Sequence, residues 1–169
     1  MVDVANEMRI QKITYEHFET LCLIYKQGIE TGIATFQIEI PTWELWDKSH
    51  LTFGRIGIFD NENLVGWAAL SPVSSRCIYK GVAEVSIYIH NEYKNKGIGK
   101  FLLNELIKES EENNIWTLQS LIFSENNASI NLHIICGFRI IGIREKIGLK
   151  DGVWKDNIIL EKRSKTIGI

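Results

Sequence analysis

Proline is scarce in this chain of 169 residues, and both examples, Pro41 and Pro72, sit at the edge of a predicted element. No Pro/Gly/Ser-rich linker, internal repeat or low-complexity tract divides the sequence, so one continuous domain spanning 1–169 is expected. Cysteine is scarce too. Cys22, Cys77 and Cys136 are odd in number, far apart and free of CxxC spacing. That pattern suggests neither a disulfide framework nor a zinc site, and points to a reducing compartment. His17, His50 and His90 show no metal-ligand spacing, so no metal is expected. No segment approaches the roughly 18 apolar residues of a membrane span. The N-terminus lacks the basic-then-apolar order of a leader, and the expectation is a soluble, cytoplasmic protein without a membrane partner. An excess of charge is also missing. Nineteen Lys and Arg stand against 21 Asp and Glu, which gives no overall attraction for nucleic acid. Any anion has to be bound locally.

What is present is an apolar fraction of 45%, enough for one substantial core. "MRIQKI" alternates like a short strand, and Thr14 can cap a helix with Phe18, Leu21, Cys22, Tyr25 and Ile29 on one face, ending near Gly32. Thr42 is placed to cap a second, shorter helix in "PTWELWDKSH". "RIGIF" and "LVGWAALSP" read as a hairpin around "DNEN", and "VAEVSIYIH" as a further strand. Helical spacing then sets in after Gly99, with Ile98, Phe101, Leu102 and Leu106 on the apolar face, and "NN" at 113 and 114 ends it. "WTLQSLIF" is the next strand and "NASINLHIIC" a helix closed by Gly137. "FRIIGIREKI" and "VWKDNIILEK" form a last strand pair around "KDG". The order β, α, α, β, β, β, α, β, α, β, β predicts an α/β fold with one mixed sheet covered by helices on its faces.

Between the third hairpin-region strand and its following helix lies "KNKGIGK". Two glycines at a helix start cost stability, so they serve either a tight turn or a ligand. The dinucleotide fingerprint GxGxxG is absent because Leu102 follows where the third glycine would fall, and no Ser or Thr completes a Walker loop. A small anion cradle, formed by bare amides at a helix N-terminus, survives this elimination beside the purely structural turn.

"AEVSIYIHNEYKNKGIGKFLL" resembles motif A of the GNAT N-acetyltransferase superfamily, whose pattern is Arg or Gln, two residues, Gly, one residue, Gly or Ala. Lys94, Gly97 and Gly99 occupy those positions. The chain departs from the pattern in having Lys at 94 and Asn at 95, where related chains often have Gly. Asn tolerates the left-handed conformation, so the loop survives the change. "ENNASINLHIICGF" is similar to the second motif of the family. "GIATFQIEIPTWELW", "SSRCIYKGVAEVSIYIH" and "GLKDGVWKDNIILEK" together resemble the phosphinothricin acetyltransferase branch.

The resemblance implies a GNAT fold: a central, mostly antiparallel sheet with a splayed parallel strand pair and helices on both faces. It implies acetyl coenzyme A as co-substrate, its pyrophosphate held by Lys94, Asn95, Lys96, Gly97, Ile98, Gly99 and Lys100. Its pantetheine arm is expected along Ile87, Tyr88 and Ile89, with Asn126 a further contact. The acceptor it implies is the amine of a small amino-acid-like molecule of the phosphinothricin, methionine sulfoximine or methionine sulfone type. A homodimer is also implied, and five tryptophans offer aromatic surface for its interface.

Acetyl transfer to an amine needs a deprotonated nitrogen, a held thioester, a stabilised oxyanion and a proton for the departing thiolate. Glu84, a carboxylate in an apolar strand, is either a paired structural charge or a base with raised pKa. The resemblance makes it the base, acting directly or through water. His133 lies among Leu132, Ile134 and Ile135, where a lone histidine is usually a satisfied core residue. The branch has His at this position, as proton donor or as a positioner of substrate. A backbone N–H near Ile87 or Ile89 is the expected oxyanion donor. Arg76 and Tyr79, eight and five residues before Glu84, match the branch's acceptor-binding pair, with Ser86, Phe36 and Trp154 as additions. Two other readings stay open: an acetyltransferase for another amine or a protein N-terminus, and a non-catalytic coenzyme-binding regulatory module.

Overall fold

The computed structural model describes residues 8–169. Its strands are β1 (Met8–Lys12), β2 (Arg55–Asp60), β3 (Asn63–Pro72), β4 (Val82–Ile89), β5 (Thr117–Phe123), β6 (Arg139–Lys150) and β7 (Val153–Arg163). The helices are α1 (Phe18–Glu30), α2 (Trp43–Ser49), α3 (Ile98–Glu112) and α4 (Asn127–Ile135). This is the alternation read from the sequence. The boundaries have local causes. Thr42 accepts the backbone N–H of Leu45 and caps α2, while Asn114 after α3 and Gly137 after α4 take positive φ, 60° and 89°.

All seven strands form one sheet in the order β1-β2-β3-β4-β5-β7-β6. Every neighbouring pair is antiparallel except β4 and β5, which α3 connects as a crossover and which run parallel. That parallel pairing is short. It holds for Val82 with Thr117, Ala83 with Leu118 and Glu84 with Gln119, and then stops. Beyond it β4 keeps β3 as partner as far as Gly66–Ile89, and β5 keeps β7 as far as Phe123–Asn157. Each strand follows its own antiparallel neighbour, so the sheet opens into a V with Glu84 at its foot.

Alternation along β4 sends Ala83 and Val85 into the core under α3 and α4, with Leu102, Leu103, Leu106 and Leu118. Each such fully buried aliphatic side chain stabilises the fold by about 1.5–3 kcal/mol. The opposite face, under α1 and α2, carries Leu21, Ile24, Tyr25, Trp46 and Trp67, with Tyr88 packed against them. Leu21, Ile24, Tyr25 and Gly28 follow helical spacing, and Gly28 lets α1 approach the sheet closely. A Cβ there would stand 2.6 Å from the Tyr88 ring.

Candidate active site

The corner between β4 and α3 is built around two residues in the left-handed region, Asn95 (φ 61°) and Gly97 (φ 79°). Gly97 is the residue before the first helical turn, and its carbonyl accepts the N–H of Phe101 at 3.2 Å. Among the described residues, none of the backbone N–H groups from Asn95 to Lys100 donates to a backbone carbonyl. Six successive bare amides at a helix start make a nest of positive potential. A Cβ added to Gly97 would meet no atom within 4 Å, so φ, and the open mouth of the nest, are what require glycine there. Gly99 has a different reason: a Cβ would come within 3.3 Å of Leu132 on α4. Lys94 and Lys100 are exposed at the rim, and Lys96 lies over the Tyr93 ring, 5.0 Å from its centre. Ile98 is buried and anchors the turn.

From this nest β4 leads back to the foot of the V. Ile87, Tyr88 and Ile89 lie on the part of β4 that has lost its β5 partner. Ile87 and Ile89 pack towards α3, whereas the Tyr88 side chain is partly buried on the other face, stacked on Trp67 at 4.9 Å between ring centres. Burial raises the Tyr88 phenol above its ordinary range. Glu84 is half-buried at the point of divergence. Burial raises its carboxyl pKa, and the positive charge of Arg144 on β6 partly offsets that shift. Among the described residues no ion pair reaches it. An unpaired carboxylate that is hard to ionise and open to the cleft is suited to accepting a proton.

Ser86, on the same face two residues on, is also half-buried. Phe36, from the segment between α1 and α2, lies edge-on against Phe123 of β5 with ring centres 4.5 Å apart. Gly148 makes room for it, since a Cβ there would stand 2.5 Å from the Phe36 ring. This segment is tied down from two further sides: Asn126 Nδ2 donates to the Ile33 carbonyl at 3.3 Å, and Lys150 Nζ to the Gln37 carbonyl at 3.2 Å. It roofs the Glu84 face of the splay. Arg76 and Tyr79 lie together on the exposed β3–β4 connection, the guanidinium 5.7 Å from the ring centre.

Three expected residues are placed differently from their assigned roles. His133 is 1% exposed. Its Nδ1 is 2.8 Å from the Ser129 carbonyl, which can only accept, so Nδ1 carries the proton and Nε2 receives the Ser120 hydroxyl at 3.0 Å. Burial lowers its pKa, and the edge of its ring packs on Phe138. Both nitrogens are satisfied within the core, so His133 has no free atom for a thiolate or an acceptor. Asn126 spends its amide on structure: besides the bond to Ile33, its Oδ1 caps α4 by accepting the Ser129 N–H at 3.2 Å. Trp154 is 58% exposed. In the register of β7 it falls on the face opposite Lys155, whose ammonium lies over Phe123, and therefore opposite the face of Glu84.

The sequence reading passed over Arg144 and Asn157. These residues stand directly opposite each other on β6 and β7, and Asn157 stands opposite Phe123 on β5, so all three share the Glu84 face. Nothing in the sequence singled them out, because β6 and β7 carry several other polar and charged residues. A cavity of about 460 Å³ between α3, the end of α4 and Lys162 is lined by none of these residues. Among the described residues no three His, Cys, Asp or Glu side chains gather as a metal site, and no helix is long and apolar enough to cross a membrane.

Comparison with known proteins agrees with this geometry. A protein 30% identical over 113 residues, 66% of each chain, is the L-methionine sulfoximine/L-methionine sulfone acetyltransferase of Salmonella typhimurium. The crystal structure of a GNAT superfamily phosphinothricin acetyltransferase from Sinorhizobium meliloti, in complex with AcCoA, superposes with a TM-score of 0.85 at 25% identity, covering 93% of this chain and 88% of that one. A ribosomal-protein-alanine N-acetyltransferase from Brucella melitensis does so with a TM-score of 0.85 at 27% identity, covering 92% and 99%. Residues 19–138 match the family described as Acetyltransferase (GNAT) family, and the chain belongs to that family of acetyltransferases.

Proposed function

We propose that this single-domain protein transfers acetyl from acetyl-CoA to the amine of a small amino-acid-like acceptor, of the phosphinothricin, methionine sulfoximine or methionine sulfone type. One observation carries the reading: an unpaired carboxylate, Glu84, stands where β4 and β5 part, on the strand that leads to a nest of bare amides. The five-residue rise from Glu84 to Ile89 spans about 16 Å, which suits a long, thin cofactor with its anionic end at the helix.

Acetyl-CoA supplies the acyl group as an activated thioester. The amides of Asn95 to Lys100, with Lys94, Lys96 and Lys100 at the rim, hold its pyrophosphate. The unpaired edge of β4 from Ile87 to Ile89 orients its arm and offers an N–H where negative charge develops on the carbonyl oxygen. Glu84 removes the proton from the acceptor ammonium, and its raised pKa narrows the gap to the amine it must deprotonate. The nitrogen then attacks the thioester carbon, and as the C–S bond breaks the second proton it sheds passes to the departing coenzyme A sulfur. Ser86 and Phe36 bound the acceptor, and Arg76 and Tyr79 stand at its entrance. The segment tied down over the Phe123 end of the splay favours a small acceptor over a peptide, which would need an open groove.

A turnover screen of free amino acids and their sulfone, sulfoximine and phosphinate analogues tests the acceptor class. A protein N-terminal peptide turned over in preference to all of them would refute it. Gly97→Asp sets a carboxylate at the mouth of the nest and strains φ. Calorimetry is expected to show coenzyme A binding weakened at least about 100-fold, with the fold intact. Undiminished binding would show that the nest is only a turn.

A homodimer in the cytoplasm completes the proposal. Four of the five tryptophans are at least partly buried, so the aromatic surface expected for an interface is not there. The edge hairpin supplies apolar surface instead: Ile140, Ile143, Ile147, Leu149, Val153 and Trp154 are all exposed. Light scattering at micromolar concentration is expected to give twice 19.4 kDa; the single mass would end the idea.

A further inference from the structure

We propose that Arg144 and Asn157 form a second recognition point in the acceptor cleft, which holds the carboxylate of an amino-acid acceptor while its amine faces Glu84. The inference rests on the small-amine reading above and adds to it the residues that select a zwitterion.

The first support is placement. Phe123, Asn157 and Arg144 stand in one row across β5, β7 and β6, on the face that carries Glu84; Phe36 packs on Phe123 at the buried end of the row, and Arg144 is exposed at its outer end. The second is an unmet polar atom. Asn157 is 6% exposed and its Oδ1 has no hydrogen-bond partner. A buried carbonyl oxygen without a donor costs stability, and folds retain such atoms where a ligand completes them. The third is charge order. Arg144 forms no ion pair with Glu84, yet its charge is felt there. The two form no ion pair with each other, which leaves both charges free for a third group. An α-amino acid carries its charges in the matching order, with ammonium towards Glu84 and carboxylate towards the Arg144 guanidinium. Asn157 Oδ1 then accepts an N–H of the same acceptor.

Arg76 is the contrasting cation. It rests on Tyr79 on the β3–β4 connection, outside the row of Phe123, Asn157 and Arg144, which suits capture at the entrance.

The test compares L-methionine sulfone with its carboxamide, which keeps the amine and loses the negative charge. The parent is expected to prefer the carboxylate in kcat/KM by roughly 10- to 100-fold. Arg144→Met is expected to erase that preference through KM for the sulfone, leaving KM for acetyl-CoA unchanged, and Arg144→Lys to restore part of it. Arg76→Met is expected to keep the preference. Asn157→Leu is expected to raise KM for both acceptors and to raise Tm, since an unmet buried oxygen is removed; a merely structural asparagine would lower Tm and leave KM alone. A preference that survives in Arg144→Met, or disappears in Arg76→Met, overturns the anchor. If neither compound is turned over, the small-amine reading fails, and the anchor is judged by calorimetry on the coenzyme A-loaded protein. Carboxylate-dependent binding lost in Arg144→Met supports it; equal binding of the two compounds overturns it.

Discussion

Glu84 and His133 are both titratable, both at least half-buried and both on elements that border the splay, yet they occupy opposite situations. Burial pushes the charged form of each out of favour, raising the glutamate pKa and lowering that of the histidine. His133 is then fully answered by its surroundings, with a carbonyl on one nitrogen and the Ser120 hydroxyl on the other. Glu84 is not answered by anything closer than a distant guanidinium. A group whose hydrogen-bonding capacity is used up stabilises the fold. A group left unpaired at an open strand edge is available for chemistry. Burial alone does not separate the two; satisfaction does.

The largest effect that could break this comparison lies at Glu84. Glu84→Gln keeps size and polarity but cannot take the proton, and kcat is expected to fall roughly 10²- to 10⁴-fold with coenzyme affinity unchanged. The deficit shrinks at high pH, where more amine arrives neutral. A pH–rate profile that stays near parental throughout would move Glu84 to the structural side. The next effect lies at His133. His133→Ala removes a buried ring and two hydrogen bonds and is expected to lower stability by about 2–4 kcal/mol in denaturant melts, while kcat per folded molecule stays close to parental. Collapse of kcat at unchanged stability would return His133 to the catalytic machinery.

The smallest effect sharpens the contrast by its sign. A carboxyl whose folded pKa lies above its unfolded value of 4.5 binds more protons in the native state, so its contribution to stability is present below that value and is lost as pH rises through the folded pKa. A histidine whose folded pKa lies below 6.5 binds more protons when unfolded, so its contribution is lost as pH falls from 6.5 towards the folded pKa. Glu84→Gln is therefore expected to raise Tm at neutral pH, with the gain disappearing below about pH 4.5. His133→Ala is expected to flatten the loss of stability below about pH 6.5. Melting curves between pH 4 and 8 read both, and slopes of the same sign would refute the distinction.

Much of the molecule was legible in the chain itself. The order of elements, the caps at Thr42 and Gly137, the nest at 95–100 and the glutamate in β4 all depend on residues within a few positions of one another. Local φ preferences, capping and alternation act over that range. The local pattern also carried the two competing accounts of His133 without choosing between them. The choice needed Ser120, thirteen residues away on β5. Arg144 and Asn157 were invisible as a pair because cross-strand register between β6 and β7, shifted by irregularities at 140–142 and 144–148, decides who faces whom. Trp154, which the resemblance assigned to the acceptor, faces away because alternation along β7 sets it opposite Lys155. The sequence by itself determined what each segment would become and which chemistry it could offer. Only the tertiary structure decided which of those groups were left unpaired in the cleft, because satisfying a buried polar atom is a contact between strands and helices far apart along the chain.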